Sequence, residues 1–75
     1  MSAGRPAVPA GPVHGVPAGF MPRAEQEQLL EVALAGIELG EYDRRIVAWM
    51  ANWDTSTLLT VVSWIVRARA AGPAR

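Results

Sequence analysis

Residues 49–66 read WMANWDTSTLLTVVSWIV, and the reading of this stretch decides the fold. It holds all three tryptophans of the chain and half of its β-branched residues. Two readings compete. Thr57, Thr60, Val61, Val62, Ile65 and Val66 suit a pleated strand. The helical reading is favoured on three grounds. Asp54 is a strong N-cap residue. Leu58, Val61, Val62 and Ile65 recur with the helical period. The following Arg67-Ala68-Arg69-Ala70-Ala71 favours helix, and its arginines complement the negative end of the dipole. The stretch is therefore the end of one helix, a tight turn at Asn52-Trp53-Asp54, and a further helix over 55–70 that Gly72 and Pro73 stop.

Working towards the N-terminus, a second helix is expected over 41–51. Gly40 serves as its N-cap, with Glu41 and Asp43 in the first turn. Tyr42, Ile46, Trp49, Met50 and Trp53 repeat at helical spacing and form its apolar stripe, so Trp49 and Trp53 read as core. Arg44, Arg45 and Ala48 point away, and Asn52 tolerates the left-handed backbone that would close the helix. A first helix is expected over 23–39, opened by Pro22. Glu27, Gln28, Glu31, Ala35 and Glu38 fall on one face at about 100° per residue. Leu29, Leu30, Val32, Ala33, Gly36 and Ile37 fall on the other, with Leu34 at the boundary. Gly36 then marks a close helix approach, because a mid-helix glycine otherwise costs about 1 kcal/mol. Gly40 ends the helix.

Residues 1–21 read as a disordered leader rich in Pro, Gly and Ala, because Pro6, Pro9, Pro12 and Pro17 resist helix and sheet. The Pro6/Pro9 and Pro9/Pro12 spacing also matches polyproline-groove ligands, with Arg5 the only formal charge to anchor it. Phe20 and Met21 are the first bulky apolar residues and candidates to fold back. The fold class is thus all-α: a small three-helix domain over 22–71, its last two helices helix-turn-helix-like, followed by a short tail over 72–75.

Composition narrows the chemistry. A 75-residue chain supports one small, marginally stable domain. With no cysteine there is no disulfide, thiolate zinc site or cysteine nucleophile. Formal net charge is zero, yet residues 1–40 carry −2 and residues 41–75 carry +2. The longest uncharged run, 6–22, is broken by prolines. Residues 55–66 are more apolar but fall short of the roughly 20 residues a membrane span needs. No secretory signal core is present, and the expectation is a cytoplasmic protein without a membrane partner. The only histidine, His14, lies in the leader without ligands at metal spacing. Glu27 and Glu31 form an i,i+4 carboxylate pair on an outer helix face, best explained as a solvated face. No catalytic, metal or cofactor residues are expected.

Trp64 departs from this pattern. It falls on the side of Thr57, Thr60 and Arg67, away from the apolar stripe, and so belongs to the surface, to the underside of the leader, or to an interface. Trp64, Ser63, Thr60 and Arg67 are the interface candidates, for a protein partner or a second copy in a homo-oligomer. The alternative is a DNA-binding regulatory protein whose last helix is the recognition helix. On that reading Ser56, Thr57, Thr60, Ser63 and Arg67 reach bases or phosphates, while Arg44 and Arg45 touch the backbone. Zero net charge and the lack of lysine weigh against it, because phosphate neutralisation supplies most non-specific affinity.

The segment YDRRIVAWMANWDTSTLLTVVSWIVRARAAG, residues 42–72, carries a W-x-x-x-W-D-T pattern followed by R-A-R-A-A-G. It resembles short uncharacterised proteins of GC-rich actinobacteria, in keeping with a composition that has arginine but no lysine. The resemblance implies no activity.

Overall fold

The computed structural model describes residues 6–72. The expected anchor Arg5, the stop residue Pro73 and the end of the tail lie outside the described residues. Three helices and no strand occur among them: α1 Arg23–Ala33, α2 Glu41–Met50 and α3 Thr55–Ala70. Helix α1 packs against both α2 and α3. Leu30, Ala33, Val47, Ala51, Leu58 and Val62 form the buried core, and Leu29, Leu34, Leu39, Met50 and Ile65 pack around it.

Helix α3 has the expected bounds and the expected cap. The Asp54 carboxylate accepts the Thr57 backbone N–H at 3.0 Å and the hydroxyls of Ser56 at 2.7 Å and Thr57 at 2.9 Å. These donors, the Ser56 hydroxyl foremost, hold its pKa down at about 2. A carboxylate whose folded value is depressed stabilises the fold above its ordinary value, and that contribution disappears as pH falls from about 4 towards 2. Asp54→Ala should therefore lower the thermal midpoint at neutral pH by about 4–8 °C, and Asp54→Asn by less. The gap between wild type and Asp54→Ala should close as melts are taken down through that acid window. A gap undiminished at pH 2 would show that the carboxylate charge is not what caps the helix.

The buried residues of α3 are Thr55, Leu58, Leu59, Val62 and Ser63, an unbroken i, i+3, i+4, i+7, i+8 stripe. The expected stripe shares only Leu58 and Val62 with it, while Val61 and Ile65 are half-buried. The inner face includes two hydroxyl residues, which a reading based on apolar residues passes over.

Helix α1 is shorter than expected. It ends at Ala33, and Gly36 takes φ +89° in the turn that follows. Ala35 N–H bonds to the Val32 carbonyl and Ile37 N–H to that of Leu34, tightening the chain into short turns. Gly36 thus leaves the helix through a backbone conformation that only glycine adopts freely, rather than easing a close helix approach. The bend returns Leu34 and Leu39 to the core. Val32, on the outer face of α1, and Ile37, beyond the bend, both expected inside, are exposed.

Helix α2 starts as expected. Gly40 has no side chain to offer, so Asp43 does the capping by accepting the Gly40 N–H at 2.8 Å. The inner face differs. Val47 and Ala51 are buried, whereas Tyr42 and Trp49 face outwards.

Residues 6–21 carry no regular structure. Several of them nonetheless touch the domain. Val8 packs against the core, Pro9 accepts the Ser63 hydroxyl at 2.7 Å, and Met21 is buried with its N–H on Thr55 Oγ1. Of the two residues expected to fold back, Met21 does and Phe20 stays exposed.

Candidate interaction surface

The surface is assembled from the α2–α3 turn outwards. Gln26 of α1, only 2% exposed, reaches across the molecule. Its Nε2 donates to the carbonyls of Ala51 at 3.0 Å and Trp53 at 2.9 Å, the orphan acceptors where α2 ends. Its Oε1 accepts the Thr55 hydroxyl at 2.6 Å. Thr55 in turn accepts the Met21 N–H at 3.0 Å. One glutamine therefore ties the last turn of α2 to the first of α3. The sequence does not mark Gln26, since a lone glutamine in an amphipathic helix carries no spacing signal.

Arg23 makes a second clamp, closer to the surface. Its Nε donates to Asn52 Oδ1 at 3.1 Å and its Nη2 to the Ala48 carbonyl at 3.3 Å, while Nη1 pairs with Glu27 at 2.9 Å. Asn52 Nδ2 also lies 3.4 Å from the Ala48 carbonyl. The C-terminal turn of α2 is thus held from the α1 side.

What these clamps hold in place is an outward aromatic stripe. Tyr42, Ile46, Trp49 and Trp53 follow one another at steps of four, three and four residues. Tyr42 is 71% exposed and Trp49 57% exposed, with Ile46 and Trp53 half-buried. Trp49 sits half a turn round the helix from Val47 and Ala51, opposite the core. The Trp49 and Trp53 rings meet edge to face, with centroids 5.1 Å apart and planes at 84°, the arrangement that aromatic quadrupoles prefer. The expectation that Trp49 is core is corrected here. Period alone locates two stripes on α2, and the small residues Val47 and Ala51 win the inner position because α1 lies against them. The core closes without the large stripe.

Of the other sequence candidates, Trp64 is 58% exposed on the outer side of α3. Thr60 lies half-buried beside it, its hydroxyl bonded to the Ser56 carbonyl. Ser63 is fully buried beneath Pro9, and Arg67 Nε donates to its hydroxyl at 3.1 Å. Ser56 and Thr57 spend their hydroxyl protons on Asp54. Arg44 and Arg45 are exposed on α2, Arg45 on the flank of the aromatic stripe.

An open cleft of about 620 Å³ lies beside Trp53, between Phe20 and Met21 of the leader and the Asn52–Thr55 turn. His14 lines a shallower hollow of about 280 Å³ with Ser56, Thr57 and Thr60. Glu27 and Glu31, the i,i+4 pair, border a third hollow that Arg44 also lines. Among the described residues no group of three His, Cys, Asp or Glu could hold a metal ion. No helix among them is long and apolar enough to cross a membrane. Comparison with protein-family models, with curated proteins and with solved structures gives no match for this chain, so its functional reading rests on the surface itself.

Proposed function

We propose that the protein is a small, non-enzymatic helical interaction module that associates with itself. The observation that carries this reading is the outward stripe Tyr42–Ile46–Trp49–Trp53, which the core does not use. Contiguous exposed aromatics with an arginine alongside are the composition of binding hot spots. Size adds support. The three helices span residues 23–70, a length at which a single core seldom supplies more than a few kcal/mol, and the chain has no cysteine to form a staple. Trp64, with Thr60 and Arg67 at its edge, is a second and smaller contact candidate. Ser63 contributes there only if Pro9 moves off it.

The test is light scattering on wild type, Trp49→Ala and Trp64→Ala across a concentration series. Trp49→Ala should shift the protein towards monomer. Each tryptophan buried at a contact contributes roughly 1.5–3 kcal/mol, and a twofold contact counts it twice. Trp64→Ala should shift it less. A wild type that stays monomeric throughout would overturn the reading.

A second reading, a helix-turn-helix-like DNA-binding protein, is favoured by the short turn between α2 and α3 and by the exposed Arg44 and Arg45. Set against it are Ser56 and Thr57, committed to the cap, and Ser63, covered by the leader. Duplex binding that weakens steeply with salt and is reduced by Arg44→Ala and Arg67→Ala would favour this alternative. Undetectable binding to mixed duplex at low salt would remove it.

A further inference from the structure

Pro6 and Pro9, spaced as in a polyproline ligand, meet a groove within their own molecule. We infer that the Thr55–Leu59–Ser63 face of α3 binds an extended P-x-x-P segment, filled here by the chain's own residues 6–9 and open to the same segment of a second copy when they lift off. This face is not the aromatic stripe, and the inference stands or falls without it.

Thr55, Leu59 and Ser63 recur every four residues along α3 and are all buried. The leader is bonded at both ends of this row. Thr55 Oγ1 accepts the Met21 N–H at 3.0 Å, and the Ser63 hydroxyl donates to the Pro9 carbonyl at 2.7 Å. Gly19, close to Met21 in the chain, lies so near Pro6 that a Cβ on it would sit 2.5 Å from Pro6 Cγ. Pro6 is thereby held towards the Thr55 end and Pro9 at the Ser63 end. Three residues of polyproline helix advance about 9 Å, and α3 rises about 12 Å from Thr55 to Ser63. Residues 6–9 therefore run extended along the row, over Leu59. That leucine is fully buried, yet it lies outside the core cluster that Leu58 and Val62 share with α1 and α2. Val8, between the two prolines, points inwards and packs against that cluster.

The chemistry is that of proline-rich recognition. Proline has no N–H, so such a segment is held through its carbonyls and the apolar side chain between its prolines. Ser63 supplies the donor. Arg67 Nε donates to its oxygen at 3.1 Å, which leaves the hydroxyl proton for the Pro9 carbonyl. Leu59 supplies the apolar floor. The segment is also lightly held. Among the described residues, no backbone–backbone hydrogen bond joins residues 6–21 to the helices or to one another. Val13, Val16, Pro17 and Phe20 border hollows of about 280 Å³ and 620 Å³ rather than a packed surface. A ligand on so short and loose a tether acts at an effective concentration of order millimolar. A second copy carries the identical segment, so its fit is the one already displayed.

Gly19→Ala opens the groove without touching groove or ligand. The new Cβ collides with Pro6, and alanine is strained at φ +115°. A peptide of residues 6–12 is titrated to several millimolar into the dilute full-length chain, wild type or Gly19→Ala, and the amide shifts of Leu59 and Ser63 are followed by NMR. Gly19→Ala should bind the peptide at least about tenfold more tightly than wild type, whose own segment competes. A peptide carrying Val8→Asp should not bind, and Ser63→Ala added to Gly19→Ala should weaken binding. Val8→Asp in the chain, which sets a charge against the core, repeats the titration as a second opening variant. No binding to either natively helical variant, or equal binding of the Val8→Asp peptide, overturns the groove. Loss of folding in both variants makes the leader part of the core and overturns it too. Because the chain is kept dilute, neither result bears on association through the stripe.

Discussion

Replacing Gln26 by leucine should abolish cooperative folding or leave only a residual transition. The side chain is buried and makes three hydrogen bonds, to the Ala51 and Trp53 carbonyls and from the Thr55 hydroxyl. Leucine fills a similar volume, so packing is largely kept. What it leaves behind is two carbonyls at the end of α2 and a hydroxyl at the start of α3, each deprived of a partner. An orphaned buried polar group costs about 1–3 kcal/mol. Thr55 retains its bond from Met21, so a total of about 3 kcal/mol is the fair expectation. Domains have only about 0.05–0.15 kcal/mol of stability per residue, so a loss of that size consumes most of what this chain has. Gln28→Leu, two residues on and exposed, is the control and should change stability by less than about 0.5 kcal/mol. Thermal and urea unfolding followed by circular dichroism measure both. A Gln26→Leu protein that melts like wild type would show that the clamp is dispensable.

The second large effect is a contrast between two big apolar residues. Leu58 is fully buried, and truncation to alanine should cost about 3–5 kcal/mol through lost transfer energy and the cavity left behind. Trp49 is the larger side chain, yet it is more than half exposed. At a dilution where the protein is monomeric, Trp49→Ala should cost about 1 kcal/mol, chiefly from its edge contact with Trp53. Urea titration of both variants at low concentration separates the two. Equal losses would place Trp49 in the core and remove the stripe.

That contrast also shows where the sequence was legible. The bounds of helix α3 could be read to the residue, because its cap at Asp54 is local chemistry, but its inner face could not, since Thr55, Leu59 and Ser63 take places expected for Val61 and Ile65. Helix α2 could be placed by the same means, but not turned. Two stripes at helical spacing lie on it, and the larger one draws the eye, while the smaller one permits the close approach of α1. Helix α1 ended early because Gly36 has two uses, a packing notch within a helix or a positive-φ exit from it, and neighbouring residues do not choose between them. Gln26 and Thr55 could not be found at all. Their role depends on carbonyls 25 and more residues away that helix pairing brings into reach. Spacing places Ser63 beside Trp64 as an interface residue, whereas it lies on the buried face of α3 with its hydroxyl bonded to the Pro9 carbonyl, 54 residues distant.

Trp64 was located outside the core from the wheel alone, and it is outside. The spacing of the aromatic stripe is visible in the sequence but its direction is not, because the packing of α1 on Val47 and Ala51 is what turns it outwards. The leader's contacts through Val8, Pro9 and Met21 were not legible in its composition, since prolines forbid regular structure without forbidding burial.

Sedimentation equilibrium of the unmodified chain, from micromolar to near-millimolar concentration, tests the central claim most directly. The account predicts a reversible rise in average mass from the 8.0 kDa of one chain towards twice that value. A single species at the monomer mass across the whole range would contradict it.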